Sequence, residues 1–290
     1  MKRLLLAGLL VRLALPVFAA DVSGTAVLTE PGYSVTASVD WVAAALTVQI
    51  SHALDPATPS LTRAKGDAET DVDARLDEFL QRAIAPLTVD SSHVFDDLLG
   101  ADPLFAARVR AVAEQGRRTE ISLSPDFSSL VERYVLPLFG AQGVASPLYP
   151  SRLTPTRPIL ADVTARVYTG LLIDARGGLP DVGTSRTAVL HPALFPRIWD
   201  EHMNLVLDVG RVDPQSLAAW GMVGYARGLN DDAVVLRAGN LPLRLVARGV
   251  YGTKGTDVVI SADGARQLLS LQENISLLQQ GRVVIVCDGL

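Results

Sequence analysis

A proline-rich segment in the middle of the chain sets the strongest limit on how this sequence can fold. Residues 141–160 contain several Gly, Ser and Thr residues together with four prolines: Pro147, Pro150, Pro155 and Pro158. Because proline fixes φ and removes a backbone donor, neither a helix nor a central strand can continue through this segment. The sequence therefore predicts a linker at residues 141–160 between a module at residues 21–140 and a module at residues 161–290.

The first twenty residues have the layout of a secretory signal peptide. Lys2 and Arg3 form a basic start, an apolar stretch follows, and the stretch ends at Ala19 and Ala20. This pattern predicts cleavage near these alanines and export to the periplasm, with an uncleaved anchor as the alternative. Arg12 interrupts the stretch, and a central charge disfavours a permanent membrane span. No other apolar run is long enough to cross a bilayer, so we expect no transmembrane helix in the mature chain.

Composition narrows the classes of partner. The chain has 290 residues, 49% of them hydrophobic, and a net charge of −5. Removal of residues 1–20 takes away three basic residues and leaves 23 basic and 31 acidic residues, a net charge of −8. Such an acidic chain has no general attraction for nucleic acid, so no nucleic-acid partner is expected. The single cysteine, Cys287, excludes an internal disulfide, and its strand-like surroundings predict a small buried residue.

The pattern of apolar residues predicts strands and one long helix in the N-terminal module. Polar and apolar residues alternate over Ser34–Trp41 and Leu46–Ile50, as they do in half-buried strands. Helical spacing then predicts a helix from Leu61 to about Ala85, which Pro86 ends. The segment Phe127–Leu138 is interpreted as a helix or an irregular amphipathic segment.

The C-terminal module is predicted to be rich in short strands, with a late helix after the cap Ser261 and a last strand at Arg282–Cys287. Strands and helices do not alternate regularly along this module. The predicted fold class is therefore α+β, with N-terminal strands plus a long helix followed by a strand-rich C-terminal module.

Residues that support catalysis or metal binding are present, but not in the spacing that such sites require. No Gly-x-Ser-x-Gly motif occurs, and the four histidines lack the spacing of a helix-borne zinc site. The residues His191, Asp200, Glu201 and His202 bind a metal only if their segments converge, and they fit turns and strand ends better. The glycine-containing segment Tyr251–Thr256 precedes a strand and predicts a hairpin turn rather than a phosphate-binding loop. We therefore predict no catalytic, cofactor or metal site.

Several short motifs follow one another in the C-terminal half: Tyr168–Gly177, Pro192–Glu201, Gly221–Ala226, Asn240–Leu243 and Thr256–Ser261. In this order, over roughly residues 168–269, they resemble the LPP20 lipoprotein-like group of secreted envelope proteins, which includes a flagellar-associated branch. The resemblance implies a structural role without catalytic residues. The chain lacks the lipidated cysteine of the lipoprotein members.

These observations together predict a non-enzymatic structural or assembly protein of the periplasm or envelope. Exposed strand edges offer a route to self-association or to pairing with envelope proteins, including outer-membrane-associated ones. The alternative is a periplasmic small-molecule-binding protein with a pocket between the modules near Asp174, Arg176 and Arg197. A second alternative is a hydrolase or metalloenzyme centred on His191 and His202.

Overall fold

A computed structural model describes residues 25–159 and 165–290. The predicted signal peptide at residues 1–20 lies outside the described residues. The N-terminal module contains five strands and four helices among the described residues: β1 Thr25–Glu30, β2 Tyr33–Asp40, β3 Ala45–Ala53, α1 Leu61–Asp73, α2 Leu76–Ile84, α3 Phe95–Leu99, α4 Pro103–Ala113, β4 Arg117–Leu123 and β5 Ser129–Pro137.

The five strands form one antiparallel sheet, the N-terminal sheet, in the order β1-β2-β3-β5-β4. Alternate residues of β3 point into the core, where Leu46, Val48 and Ile50 are buried. Helices α1 and α2 lie against this inner face, and α2 contributes Phe79 and Leu80 to the same core cluster. The alternation that is visible in the sequence therefore corresponds to a sheet with one covered face.

The predicted helix Leu61–Ala85 is divided into α1 and α2 by a break at Arg75. Arg75 leaves the helical region of backbone space with φ −121° and ψ 9°. Its guanidinium donates to the carboxylates of Glu30 and Glu78 and lies 4.9 Å from the centre of the Tyr33 ring. These contacts hold the break against the strands beneath it.

The interpretation of Phe127–Leu138 as a helix or irregular segment is wrong, because Ser129–Pro137 forms β5 in the interior of the N-terminal sheet. Leu130, Tyr134 and Leu136 face the core at the two-residue spacing of a strand. Glu132 also faces inward and is fully buried. Because Glu132 occupies one of the inward positions, the apolar residues of β5 do not alternate strictly, and hydrophobicity alone does not indicate a strand.

The C-terminal module has ten short strands and four helices among the described residues: β6 Leu171–Asp174, β7 Leu179–Pro180, β8 Thr187–Ala188, β9 Ile198–Asp200, β10 Leu205–Leu207, α5 Pro214–Trp220, β11 Gly224–Ala226, α6 Asp232–Ala238, β12 Leu243–Val246, β13 Gly249–Tyr251, β14 Asp257–Ile260, α7 Ala262–Leu269, α8 Gln272–Gln279 and β15 Val283–Val286.

These strands form two four-stranded sheets and a short ladder of β7 with β8. The parallel sheet has the order β11-β15-β6-β12, and all its strand pairs are parallel. The mixed sheet has the order β10-β9-β14-β13. The architecture is α+β, which confirms the predicted fold class, and the late helical region consists of α7 and α8. In the parts of the chain that the structure describes, none of the helices combines the length and the apolar character of a membrane span.

The two modules share one hydrophobic core cluster. The backbone N–H groups of Leu194 and Phe195 donate to the carbonyl oxygens of Thr88 and Val89 at 3.1 and 2.8 Å, which joins the loop after α2 to the C-terminal module. Cys287 belongs to the shared cluster and is buried, as predicted, and this burial raises the pKa of its thiol to about 11.

Candidate functional site

The residues proposed to line a ligand pocket do not all lie together. Asp174 ends β6 in the parallel sheet, and its carboxylate oxygens accept hydrogen bonds from Nε and Nη2 of Arg176 at 2.8 and 2.7 Å. These bonds lower the pKa of Asp174. Arg197 instead precedes β9 of the mixed sheet and approaches Asp90 of the N-terminal module. Only Arg197 therefore belongs to a pocket between the modules.

The two carboxylates of the proposed metal-binding group make local contacts in a turn and at a helix start. Oδ1 of Asp200 accepts hydrogen bonds from the backbone of His202 and Asn204 and closes a turn. Burial raises the pKa of Asp200, but the bonds from Asn204 and His202 outweigh it and lower the pKa overall. Glu201 accepts from the backbone N–H of Ala262 at the start of α7. Across residues 25–159 and 165–290, no group of three His, Cys, Asp or Glu side chains is arranged to hold a metal ion.

The glycine-containing segment forms the turn of the β13–β14 hairpin and contacts the N-terminal module. Gly252 has φ +91°, and a Cβ at this position would lie 2.3 Å from the Cβ of Ser91, so only glycine fits the close approach. The Ser91 carbonyl accepts from Oγ1 of Thr253 at 2.7 Å and from the backbone of Lys254 at 3.2 Å. The hairpin turn is thus a point of attachment between the modules.

Asp257, which follows this turn, is a buried carboxylate that the sequence analysis missed. Its oxygens accept from the backbone N–H of Arg197 and from Nε1 of Trp199, each at 3.0 Å, and the Ser91 hydroxyl lies beside them. Burial raises the pKa of Asp257, although the hydrogen bonds that it accepts act in the opposite direction. The one signal in the sequence is an acidic residue at the head of an apolar run, Asp257–Ile260.

A pocket of about 310 Å³ lies next to this junction and is lined by both modules. Its polar side chains are Asp90 and His93 from the loop after α2, with Arg197 and Asp208 from the C-terminal module. Its apolar wall consists of Val89, Leu98, Leu148, Phe195 and Val209. The sequence suggested Arg197 alone, because the other polar residues come from segments that only the fold brings together.

A second candidate site is the outer edge of β12. The backbone N–H groups of Leu243 and Ala247 donate to Gly170 and Asp174 on the β6 side, at 2.9 and 2.8 Å. The alternate residues Arg244 and Val246 therefore direct their backbone groups outward. Within the described part of the chain, no other strand pairs with this edge.

The exposed surface around β12 is apolar. The exposed fractions are 66% for Val246, 65% for Leu241 and 78% for Leu236 of α6. Because Arg244 pairs with Leu172, whose side chain packs under α6, Arg244 and Val246 lie on the face that α6 covers in part. Large exposed apolar side chains next to an unpaired strand are typical of a protein–protein contact surface.

Comparison with protein families gives two matches. Residues 32–141 match the model of the N-terminal domain of Treponema pallidum Tp0624, and residues 170–289 match the model of the second domain of the same protein. The search of curated proteins gave no match.

These matches correct the resemblance to the LPP20 lipoprotein-like group and its flagellar branch, which is wrong. The segment at residues 168–269 falls almost wholly within the match to the second Tp0624 domain. The motifs that suggested LPP20 contain the short strands β6, β9, β11 and β14 with their adjoining turns, and such segments occur in many sheets. In both parts, and in the same order along the chain, this protein is similar to the N-terminal and second domains of Tp0624.

Proposed function

We propose that this chain is an exported, non-enzymatic assembly protein of the bacterial envelope, and that it self-associates through the outer edge of β12. The observation that carries the proposal is the unpaired, regular edge formed by Arg244 and Val246 beside exposed apolar side chains. The signal-peptide pattern of residues 1–20 supports the location in the envelope.

The edges of the N-terminal sheet and of the mixed sheet are less suited to pairing, and β11, the other edge of the parallel sheet, has only three residues. The two edges of the N-terminal sheet carry register shifts, between Ala26 and Leu28 in β1 and between Arg118 and Glu120 in β4. In the mixed sheet, β10 pairs irregularly with β9, and a bridge to Asp181 flanks β13. Bulges and covered edges discourage the addition of another strand, whereas β12 pairs with β6 without a shift.

Two copies of β12 fit each other in an antiparallel arrangement about a twofold axis at Leu245. Arg244 of one copy then faces Val246 of the other, and each such pair exchanges both of its backbone hydrogen bonds. The same register sets Leu245 against its counterpart on the opposite face and keeps the Arg244 side chains of the two copies apart. All outward backbone groups of the strand are satisfied in this pairing.

Three carboxylates that a catalytic or metal site could use are engaged elsewhere, which supports a non-enzymatic role. Asp174 pairs with Arg176, Asp200 closes a turn, and Glu201 contacts the start of α7.

The proposed association is tested by light scattering and sedimentation of the purified full chain over a range of concentrations. We expect a dimer that Val246→Lys weakens roughly tenfold, because the new charge directly faces Arg244 of the second copy at two equivalent positions. Adding Arg244→Glu to Val246→Lys replaces repulsion by attraction and should restore the dimer. Leu104→Lys changes an equally exposed apolar residue of α4 and should have no effect.

Two results would contradict self-association through β12. One is a parent chain that is monomeric at all concentrations, and the other is a dimer that Val246→Lys leaves intact. The envelope location is tested separately by fractionating cells that carry a tagged copy. We expect the protein in the periplasmic fraction with an N-terminus at about residue 20 or 21, and cytosolic protein that still begins at Met1 would oppose the proposal.

A further inference from the structure

The pocket at the module junction has the features of a ligand site that is independent of the proposed assembly role. Its volume of about 310 Å³ is near the lower end of the range for small-molecule sites, which occur preferentially between domains. Side chains of both modules line it, so the folded junction holds their relative positions.

Two of its polar side chains are already engaged. Oδ1 of Asp90 accepts from the backbone of Ser92 at 2.8 Å and of His93 at 2.9 Å. The same oxygen lies 3.0 Å from Nδ1 of His93. Asp90 and His93 therefore form a local turn, and Oδ1 of Asp90 has little capacity left for a ligand.

Arg197 and Asp208 have that capacity. In residues 25–159 and 165–290, the Arg197 guanidinium makes no hydrogen bond, and its approach to Asp90 is long, with 3.8 Å between Nη2 and Oδ2. The carboxylate of Asp208 accepts no hydrogen bond from any described residue, although its Oδ1 is buried. The nearest cationic atom is Nε of Arg211 at 4.0 Å, and Nη1 of this arginine donates to the carbonyls of Leu205 and Val206.

The charges of the pocket restrict the chemistry of its ligand. A simple anion suits Arg197 but meets the carboxylates of Asp90 and Asp208, and a simple cation suits Asp208 but meets the guanidinium of Arg197. A ligand that carries both charges matches both groups. The wall formed by Leu98, Leu148 and Phe195 suits an aliphatic side chain.

We propose that this pocket binds a small zwitterionic amino acid with an aliphatic side chain. The ligand carboxylate accepts hydrogen bonds from Arg197, and the ligand ammonium donates to Asp208. The aliphatic chain packs against the apolar wall.

The test uses leucine as the probe and two compounds that keep its alkyl chain but lack one charge. Isocaproate lacks the ammonium group, and isopentylamine lacks the carboxylate. Binding to the purified full chain is measured by calorimetry and by the shift in Tm. We expect leucine to bind at least about tenfold more tightly than either analogue, because each analogue loses the hydrogen bonds made by one of the two charged groups. Alanine, valine and the D-enantiomer of leucine then define the size and handedness of the site.

Two variants test which side chain binds each charged group of the ligand. Asp208→Asn should weaken leucine binding about tenfold or more and bring its affinity close to that of isocaproate, because the ammonium group loses its partner. Arg197→Gln should likewise bring the affinity for leucine close to that for isopentylamine, because the carboxylate of leucine loses its partner. Asp174→Asn removes a carboxylate that pairs with Arg176 outside the pocket, so it should leave leucine binding unchanged.

The proposal is overturned if none of the amino acids binds at millimolar concentration, or if leucine binds no better than its single-charge analogues. It is also overturned if Asp208→Asn and Arg197→Gln, each shown to be folded by circular dichroism, bind leucine as the parent does. The oligomeric state of the chain has no bearing on these outcomes, so failure of this proposal and failure of the assembly role are separate.

Discussion

Glu132 lies inside the N-terminal sheet and Asp257 lies where the two modules meet, and both carboxylates are fully buried. Oε2 of Glu132 accepts from the hydroxyl of Tyr134 and from Nη1 of Arg118, while its Oε1 has no partner among the described residues. Both oxygens of Asp257 accept hydrogen bonds, and Ser91 of the other module lies beside it.

The two carboxylates differ in the parts of the chain that their hydrogen-bond partners come from. The partners of Glu132 come from its own strand, β5, and from the neighbouring edge strand β4, and Arg118 is partly exposed to water. Asp257 accepts from Arg197 and Trp199 of the C-terminal module, and Ser91 of the N-terminal module lies beside it. Replacing Asp257 should therefore lower the stability of the whole chain, whereas replacing Glu132 should weaken only the contact between β5 and β4 at one edge of the N-terminal sheet.

The largest expected effect is that of Asp257→Ala. The Arg197 backbone N–H and Nε1 of Trp199 lose their acceptor in a buried site, so we expect the free energy of unfolding to fall by about 3 kcal/mol. Denaturation followed by tryptophan fluorescence and circular dichroism measures this change. Asp174→Ala is the control, since it removes a partly exposed pair and should cost less than about 1 kcal/mol. If the free energy of unfolding falls equally in both variants, the buried carboxylate at the junction contributes no more to stability than the partly exposed one.

A change of pH should have a smaller effect on the free energy of unfolding. Because burial raises the pKa of Asp257 in the folded chain, the stability that comes from its protonation is present below the unfolded pKa and is lost as the pH rises through the folded pKa. The free energy of unfolding of the parent, relative to Asp257→Asn, should therefore decrease from acid to neutral pH. Denaturation curves of both chains over this range test the prediction. A difference that increases with pH would mean that the hydrogen bonds outweigh burial.

The smallest effect is expected from Glu132→Leu. Arg118 regains water, the unpartnered Oε1 disappears and an apolar side chain fills the space, and these gains offset most of the cost of the buried Tyr134 hydroxyl losing its acceptor. Stability should therefore fall by only about 1 kcal/mol. Asp257→Leu provides the matched comparison and should be clearly less stable than Glu132→Leu. If both leucine variants unfold equally easily, the two buried carboxylates are equivalent and the contrast between them is wrong.

The N-terminal sheet was partly predictable because alternation is visible where only one face is covered, as in β3. Strand β5 was missed since Glu132 occupies an inward position that an apolar residue normally fills. In the parallel sheet, residues of β6 and β15 are buried on both faces, so the sequence shows short apolar runs that indicate strands but not their order. The helices α5 and α6, only seven residues each, were also missed, although Asp213-Pro214 is a recognisable start for α5.

The candidate sites were less predictable than the fold. The junction pocket joins Asp90 and His93 to Arg197 and Asp208 across more than a hundred residues of sequence, and no local spacing reports such a convergence. The free edge of β12 depends on which strands pair with β6, which alternation and propensity do not determine. Arg197 was predicted to lie near a pocket between the modules, and the fold places it in such a pocket with Asp90, His93 and Asp208.

The buried position of Cys287 makes its thiol a probe for local unfolding of the C-terminal end of the chain. The thiol lies directly after the last strand, shielded from solvent, and its raised pKa keeps it protonated at neutral pH. A thiol reagent can modify it only in molecules whose C-terminal end has detached. Since it is the only cysteine in the sequence, the labelling rate measures how often that end opens, without any added probe.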